Sequence, residues 1–419
     1  MNKTTRDVLV VSFALFSMFF GAGNVIFPPF LGLISGKGYL ISTLGFVITG
    51  AGLPILGIVA ISKAKSFENF AGKVAPGFAT LLGAVIMIMI GPLLAIPKTG
   101  ALTYEVLQNT VAPGLVNYVG LGIFFIVTIF FSLNENSVID KLGAILTPVL
   151  LISLIILIVK GFVSPIGDIV VTETPKGFIG GFVEGYQTMD AIAAIMFAFT
   201  IIKSINEKGY VGNQAIKLSS LTGVIAGCCL ALIYVGLSHI GATASTVYPN
   251  DISRTQLLIS ASQAILGNFG IIILAMIISL ACLTTSVGLT TTAALYFRDL
   301  SKGKLNYKAL VLIINVISFY FALNGVDKIV AISGPILSVV YPVAIILMLL
   351  NVFGVKRNMV YSLSALPTLV FSALVVFLPA DTAKMVESFY PMFSNGFGWI
   401  PIAVIGGIIG YFISPKATE

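Results

Sequence analysis

Two clusters of glycine and polar residues interrupt apolar stretches of this 419-residue sequence, and their composition suits ligand binding. The first cluster is Phe20-Gly21-Ala22-Gly23-Asn24, with Pro28-Pro29 close behind it. Glycine frees the backbone from regular helix geometry, and freed N–H and C=O groups in hydrocarbon need a partner or a cavity. An unwound segment therefore offers amides to a carboxylate and carbonyls to a cation. The alternative is a kinked helix that packs closely through its glycines.

The second cluster covers residues 184–190, with the sequence Glu-Gly-Tyr-Gln-Thr-Met-Asp, and it opens an apolar segment. Asp190 is an ionisable group inside the predicted membrane zone, where a charge is costly and usually functional. It could contact an ammonium group, a cation or a proton, or it could only interact with the dipole at a helix start. Tyr186 and Gln187 could line a pocket or cap the helix.

Hydroxyl side chains form a third cluster at Thr284-Thr285-Ser286, in the middle of an apolar block. They could back-bond to their own helix or coordinate a hard cation that prefers oxygen ligands. A further candidate is Lys98, which follows Pro92 and Pro97 in a segment that these prolines should bend or break. Its ammonium could reach the membrane interface or face a solvent vestibule and assist gating.

The elements that must position these residues are membrane-spanning helices. Hydrophobic residues make up 58% of the chain and charged residues only 9%, against about 25% charged in soluble domains. The mean hydropathy is +1.07. Apolar blocks long enough for spanning helices of about 20 residues recur throughout the chain. An ordinary soluble enzyme is therefore excluded, and the prediction is an all-α, multi-pass membrane protein.

Polar, glycine and proline residues divide the sequence into about twelve predicted spans, with two longer connections at 161–183 and 241–265. The predicted spans are 8–34, 40–62, 77–105, 116–133, 138–160, 184–203, 211–240, 266–297, 307–323, 329–353, 359–379 and 397–414.

The basic residues predict the orientation of the chain. With twelve spans, 16 of the 23 Lys and Arg residues lie on the side of the termini and 7 on the other. Cytoplasmic loops carry an excess of basic residues, so both termini are predicted in the cytoplasm. Membrane orientation also explains the net charge of +7, and no nucleic acid partner is expected. Nothing in the sequence implies an obligate protein partner.

The positions of the two interrupted spans indicate an internal duplication. The first interrupted span is the first of five consecutive spans that cover 8–160. The second interrupted span, the sixth in the chain, is the first of another five that cover 184–353. Five is an odd number, so the two units would have opposite topology. Inverted repeats with broken helices at matching positions are typical of secondary transporters, and the breaks point to the binding site. Two further spans, at 359–414, would lie outside the repeats in one transporter domain covering 1–419.

Motifs for other kinds of chemistry are missing from the sequence. We find no nucleophile elbow, P-loop or metal-ligand cluster. An enzyme or an ATP-driven pump is therefore disfavoured, and an ion gradient is the expected energy source. An ion channel is the alternative from another class, but channels usually carry repeated pore signatures or rings of like residues.

The sequence also resembles the bacterial branched-chain amino-acid:cation symporters, the BrnQ-type carriers, over nearly its full length. The matching segments are 20–24, 26–29, 52–54, 91–99, 185–190, 281–289, 334–337 and 341–342. One departure is Lys98, where we expect arginine in many relatives. Lysine keeps the charge but loses the bidentate geometry.

The resemblance implies uptake of leucine, isoleucine and valine across the bacterial plasma membrane, coupled to Na⁺ or to H⁺. It also implies the LeuT-like fold of two five-helix inverted repeats, with helices 1 and 6 broken. Gly21, Ala22 and Gly23 would bind the substrate carboxylate, and Asn24 follows them as in sodium-coupled relatives. Tyr186, Gln187, Thr188, Met189 and Asp190 would line the substrate site as a group.

The resemblance further implies a sodium site between the first and eighth spans. Its ligands would be the backbone carbonyls of Ser17, Phe20 and Ala281 with the hydroxyls of Thr284 and Thr285. The branched side chain of the substrate would enter an apolar pocket from the third, sixth and eighth spans, which we predict to include Ile88, Met189 and Ile192.

Overall fold

A computed structural model describes residues 3–133, 146–172, 176–390, 393 and 396–414, and the described part is helical with turns and short loops. Its α-helices are α1 (Lys3–Phe19), α2 (Ala22–Ser35), α3 (Tyr39–Val47), α4 (Leu53–Ala64), α5 (Phe67–Ala71), α6 (Phe78–Ile88), α7 (Ala95–Asn109), α8 (Asn117–Ser132), α9 (Thr147–Val163), α10 (Gly177–Glu184), α11 (Asp190–Glu207), α12 (Gly212–Thr243), α13 (Arg254–Leu266), α14 (Asn268–Leu300), α15 (Tyr307–Ala322), α16 (Val326–Val352), α17 (Asn358–Phe377), α18 (Ala380–Phe389) and α19 (Trp399–Ile413).

Long apolar helices dominate the fold because hydrocarbon requires every backbone polar group to be bonded within the segment. Within the described ranges, six helical stretches are long and apolar enough to cross a membrane, or seven if the bent pair α10 and α11 is one span. The stretch Ala22–Ala64 contains the second part of the predicted span 8–34 and all of the predicted span 40–62, and a 3₁₀ turn at Gly36–Gly38 separates the two. Four shorter apolar helices, α8, α9, α15 and α19, coincide with further predicted spans.

The first predicted break separates α1 from α2. Phe20 and Gly21 lie outside both helices, and Gly21 has an extended backbone at the start of α2. Pro28 and Pro29 lie inside α2 rather than ending it. The break is therefore confined to the two residues before Ala22.

The second predicted break lies between α10 and α11. A 3₁₀ turn at Gly185–Thr188 is followed by Met189 in the left-handed conformation, with φ of 64°, and the two helices are bent by 43°. The predicted boundary of the sixth span was wrong here, because the helix begins at Gly177 and not at 184. The break is consequently in the middle of the span.

Two other predicted spans contain a wider helical turn instead of a break. π-helical segments occur at Ile48–Gly52, between α3 and α4, and at Met89–Leu93, between α6 and α7. In the second segment Gly91 has non-helical dihedral angles beside Pro92, because proline removes a backbone donor and clashes with the preceding turn. Part of the fifth predicted span, 138–145, lies outside the described residues.

The helices pack in two groups that face each other. In one group α12 contacts α1, α2, α3 and α4, while α10 packs on α3 and α11 packs on α4. In the other, α14 and α15 pack against α7 and α8. α1 touches both groups, through α12 and α14. Both broken spans therefore belong to the first group and border the second.

Glycines bring α2 and α12 into backbone contact. A Cβ atom at Gly241 would lie 1.8 Å from the Pro29 carbonyl oxygen, and one at Gly32 would lie 2.0 Å from the Ser238 carbonyl oxygen. No Cβ atom fits at either distance, so only glycine permits this separation of the helices. Small residues of this kind allow close helix packing in membranes.

We expect Gly241→Ala to destabilise the protein by about 1–3 kcal/mol, the usual cost of overpacking. The added methyl group must push α12 away from α2, which carries the first break. The measurement is the apparent melting temperature of the purified protein in detergent. Gly122→Ala is the matched control, because a Cβ atom at Gly122 meets nothing within 4 Å. An equal melting temperature for both variants would contradict the packing argument.

Candidate functional site

A small cavity of about 20 Å³ lies between the two helix groups, at both breaks. Its walls come from the α1–α2 break, the start of α7, the start of α11 and the middle of α14. The lining residues are Met18, Phe19, Gly21, Ala22, Gly23, Asn24, Ile90, Ala95, Lys98, Thr99, Thr188, Met189, Asp190, Ala193, Thr285 and Leu289. Apolar side chains therefore surround a few polar groups, as is usual for small-molecule sites.

Asn24, Asp190 and Tyr234 form one hydrogen-bonded group beside this cavity. The Asn24 Nδ2 atom donates to Asp190 Oδ2 at 2.5 Å, and the Tyr234 hydroxyl donates to the same oxygen at 3.0 Å. Asn24 Nδ2 also lies 2.5 Å from the Tyr234 hydroxyl. All three side chains are buried. The group joins both broken spans to α12.

Local backbone geometry orients this group. Asn24 lies in the first turn of α2, and its Oδ1 atom accepts the Gly21 N–H at 3.1 Å, which leaves Nδ2 to face Asp190. Asp190 is the first residue of α11, and its N–H donates to Thr188 Oγ1 at 3.3 Å. The left-handed Met189 turns the chain so that the carboxylate points back towards α2.

Lys98 is buried in the same region. Its side chain is only 2% exposed, and Nζ donates to the Gln187 carbonyl oxygen in the second break at 2.6 Å. The interfacial position that the sequence allowed for Lys98 is wrong, because its side chain is buried inside the bundle against the second break. An ammonium group thus lines the cavity together with a carboxylate.

Backbone and hydroxyl oxygens converge where α1 meets α14. Thr284 Oγ1 lies 2.9 Å from the Ser17 carbonyl oxygen and 3.0 Å from the Ala281 carbonyl oxygen, and its one hydrogen is shared between these two acceptors. Thr285 Oγ1 lies 3.2 Å from the same Ser17 oxygen. Phe20 directly precedes Gly21, whose Cα faces Thr285 so closely that a Cβ atom would be 2.9 Å from Oγ1. Four of the five predicted ion ligands are therefore linked through the Ser17 carbonyl and the Thr284 hydroxyl, and Phe20 is next to Gly21 in the chain.

The structure separates the predicted substrate residues into two sets. Those lining the cavity are Gly21, Ala22, Gly23, Asn24, Thr188, Met189 and Asp190. Tyr186 and Gln187 lie outside it. Tyr186 stacks on Tyr341 with a ring separation of 4.2 Å, and the Gln187 side chain accepts a hydrogen bond from Ser333 at 2.8 Å.

The apolar part of the cavity differs from the predicted pocket. Ile88 is 41% exposed and faces away from the bundle, because the π-helical segment that follows it shifts the inward face to Ile90. Ile192 is buried but does not line the cavity. Met189 lines it, with Ala193 one helical turn after it and Leu289 opposite on α14.

Sequence reasoning missed Tyr234. It lies in the middle of the apolar helix α12, and no break or charge accompanies it. Its aromatic ring packs edge-on against Phe46, with centroids 5.0 Å apart. The only signal in the sequence is a tyrosine far from either predicted interface, a position where its hydroxyl needs a buried partner.

Comparison with known proteins identifies the family. The model of the family described as branched-chain amino acid transport protein matches residues 4–417. The branched-chain amino acid permease BraB of Bacillus subtilis is 36% identical, and the match covers 98% of this chain and 97% of that protein. A putative branched-chain amino acid carrier protein of Staphylococcus saprophyticus is 35% identical, with 100% of this chain and 98% of the relative covered.

Solved structures show the same fold at low sequence identity. A nucleobase-cation-symport-1 family transporter, in a closed conformation with bromovinylhydantoin bound, has a TM-score of 0.64 at 12% identity and covers 98% of this chain and 94% of its own. A Na⁺-coupled sialic acid symporter in a substrate-bound outward-open state has a TM-score of 0.64 at 14% identity, covering 97% and 90%. These are LeuT-fold transporters, so the predicted fold class is confirmed at that level.

The relatives are permeases and carriers, not enzymes, and the apolar helices agree with a multi-pass bacterial membrane protein. The family match extends over almost the whole chain. This protein belongs to the branched-chain amino acid transport protein family.

Proposed function

We propose that the chain is a secondary active symporter that imports leucine, isoleucine and valine together with Na⁺, driven by the Na⁺ gradient. The transporter domain would contain twelve spans, with inverted repeats at 8–160 and 184–353 and two additional helices at 359–414. Both termini would be cytoplasmic. Alternating access of one central site to the two sides of the membrane would couple the fluxes.

The observation that carries this proposal is the group of oxygens between α1 and α14. Sodium prefers oxygen ligands, like other hard cations, and the carbonyls of Ser17 and Ala281 lie within 3.0 Å of the Thr284 hydroxyl. In the ion-bound state the carbonyl oxygens would contact the ion, and the hydroxyl hydrogens that they now accept would turn away from it. Phe20 and Thr285 would complete the set. The similarity to a sodium-coupled symporter agrees with this choice of ion.

The ion site and the substrate cavity share a wall. Thr285 and Gly21 both line the cavity, and they are the residues that bring α14 against the first break. A cation held there would fix the conformation of the unwound segment. Sodium binding would in this way pre-form the site for the substrate carboxylate at Gly21, Ala22 and Gly23, while the substrate ammonium would face Asp190.

The apolar wall supports a branched aliphatic substrate. Ile90, Ala193 and Leu289 offer hydrocarbon contacts and no hydrogen-bonding side chain. An apolar pocket distinguishes two substrates that differ by one methylene by only about 1–3 kcal/mol. We therefore expect all three branched-chain amino acids to be transported, with modest preferences among them.

Alternating access also needs contacts that open and close at the ends of the site. At one end, Arg254 of α13 lies 3.3 Å from Glu184 at the end of α10. The same guanidinium stacks over Phe30 at 4.5 Å and over Phe27 at 5.1 Å. The Arg254 side chain thus links α13 to both broken spans, through α10 and α2. In the proposed orientation these contacts close the extracellular end.

A proton is the second candidate for the coupling ion. The buried carboxylate of Asp190 favours it, because a carboxylate in the cavity can bind and release a proton as well as contact an ammonium group. Na⁺ and H⁺ coupling share the same fold and the same substrate site, so only the dependence on each gradient distinguishes them.

Leucine uptake into proteoliposomes tests the proposed function. We expect an imposed inward Na⁺ gradient to drive accumulation of labelled leucine against its own gradient, with isoleucine and valine competing. Stimulation by a pH gradient alone would select proton coupling. No stimulation by either gradient would refute symport, and an ionic current without accumulation of substrate would instead indicate a channel.

A further inference from the structure

We infer that Lys98 is the cation that recognises the carboxylate of the transported amino acid, opposite Asp190, so that the two buried charges select a zwitterion. This inference rests on the proposed function and specifies how its substrate site distinguishes amino acids from other small branched molecules. The proposed function alone leaves the carboxylate to backbone amides.

The first observation is the position of the Lys98 ammonium group. It is buried inside the bundle, where an ionised group is costly and persists only with compensation. An ammonium group has three donors, and the Gln187 carbonyl oxygen accepts one of them. Phe27 presents its ring to the same nitrogen at 5.6 Å from the centroid. Neither partner is charged, so the charge of Lys98 is not neutralised by them.

The second observation is that Lys98 and Asp190 share the cavity without pairing. Both line it, yet among the described residues no ion pair within 4.0 Å links Lys98 to Asp190. The cavity therefore presents a positive and a negative group at separate points of its wall. A ligand with a carboxylate and an ammonium satisfies both groups, whereas a ligand with one of them leaves a buried charge unpaired, which is strongly unfavourable.

The third observation places the ammonium at the carboxylate end of the proposed site. A Cβ atom at Gly23 would lie 3.5 Å from Lys98 Nζ, so the ammonium borders the first turn of α2. The N–H groups of that turn have no partner within the helix. Since Asn24 already accepts the Gly21 N–H, the amides of Ala22 and Gly23 remain beside Lys98. Ammonium and amides then face the same oxygen atoms of the substrate.

Two analogues of leucine test this assignment in the purified full-length protein. Leucine without its carboxylate is 3-methylbutylamine, and leucine without its ammonium is 4-methylpentanoate. The variant is Lys98→Gln, because glutamine can still donate a hydrogen bond to the Gln187 carbonyl but carries no charge. Binding is measured for all three compounds by ligand-induced thermal stabilisation, which rises with affinity.

We expect Lys98→Gln to weaken leucine binding roughly 30-fold or more, as for the loss of one partner of a buried charge pair. Binding of 3-methylbutylamine should become at least about tenfold tighter than in the unmodified protein, because Asp190 is then the only charged side chain among the described residues that line the cavity. Lys98→Arg should keep the preference for leucine, and Lys328→Met, at an exposed lysine of α16, should change neither affinity.

Equal weakening of leucine and amine binding in Lys98→Gln would overturn the inference and leave Lys98 as a tether between α7 and the second break. Unchanged leucine affinity would overturn it as well. If Lys98→Gln does not fold, Lys98→Met is measured in its place and the same two outcomes decide. Failure of the unmodified protein to accumulate leucine would instead refute the proposed function, so the two failures are distinguishable.

Discussion

Replacing Asp190 with asparagine is expected to raise the leucine concentration that gives half-maximal uptake roughly 30-fold or more. Asparagine has nearly the same shape and can still accept the hydrogen bond from Tyr234, so the change removes the charge and little else. Loss of one partner of a buried, hydrogen-bonded charge pair costs about 2–5 kcal/mol, and each 1.4 kcal/mol is a factor of ten in affinity. The measurement is the concentration of leucine that gives half-maximal uptake in proteoliposomes.

Asp327→Asn is the matched control for this variant. Asp327 also occupies the first turn of a helix, α16, but its side chain is exposed. If Asp190 only interacted with the helix dipole, both variants would lose at most about 1 kcal/mol of stability and would transport leucine alike. That result would contradict the role of Asp190 in substrate binding. Elution as a single species in size-exclusion chromatography excludes misfolding as the cause.

Sequence patterns predicted the helices and both breaks because membrane helices leave strong local signals. A spanning helix needs a long apolar run, and the glycines at 21 and 23 mark the first break directly. The start of α10 was missed because Gly177, Gly180 and Gly181 weaken the helical signal. Close packing on α3 stabilises this glycine-rich helix instead. A Cβ atom at Gly181 would lie 1.8 Å from the Ser42 carbonyl oxygen on α3.

The parts of the candidate site that escaped prediction depend on contacts between distant segments. Tyr234 reaches Asp190 across 44 residues and Asn24 across 210, and no local pattern encodes such a meeting. The inward face of the third span was misplaced for a different reason. The π-helical turn at Met89–Leu93 changes the helical phase, so a regular period of 3.6 residues assigns Ile88 to the wrong face.

The distribution of charge explains why so few ionisable residues serve this site. The cavity contains Lys98 and Asp190, whereas the oxygens at Ser17, Ala281 and Thr284 are neutral dipoles. Neutral ligands bind a monovalent cation without the large desolvation cost of a buried carboxylate. An ion held only by dipoles can also be released when one helix moves, which a transporter requires in every cycle.

The hydroxyl of Thr285 therefore offers the sharpest test of the proposed ion site. We expect Thr285→Val to raise the Na⁺ concentration for half-maximal uptake roughly 10- to 150-fold. This range corresponds to about 1.5–3 kcal/mol, the worth of one hydrogen bond to a charged group, taken here for one oxygen ligand of the ion. Valine keeps the branched shape but removes an oxygen that lies 3.2 Å from the Ser17 carbonyl. Uptake is measured as a function of external Na⁺ at fixed leucine.

Two variants of the same helix separate ion binding from packing. Thr285→Ser restores the hydroxyl without the methyl group and should recover most of the Na⁺ affinity. Thr291→Val removes a buried hydroxyl of α14 that makes no hydrogen bond with any described residue and that does not line the cavity, so its Na⁺ dependence should match that of the unmodified protein. An unchanged Na⁺ dependence in Thr285→Val would exclude Thr285 as a ligand. If leucine uptake also depended on the pH gradient alone, the coupling ion would be a proton. The coupling site would then be the carboxylate of Asp190 and not the oxygens of α1 and α14.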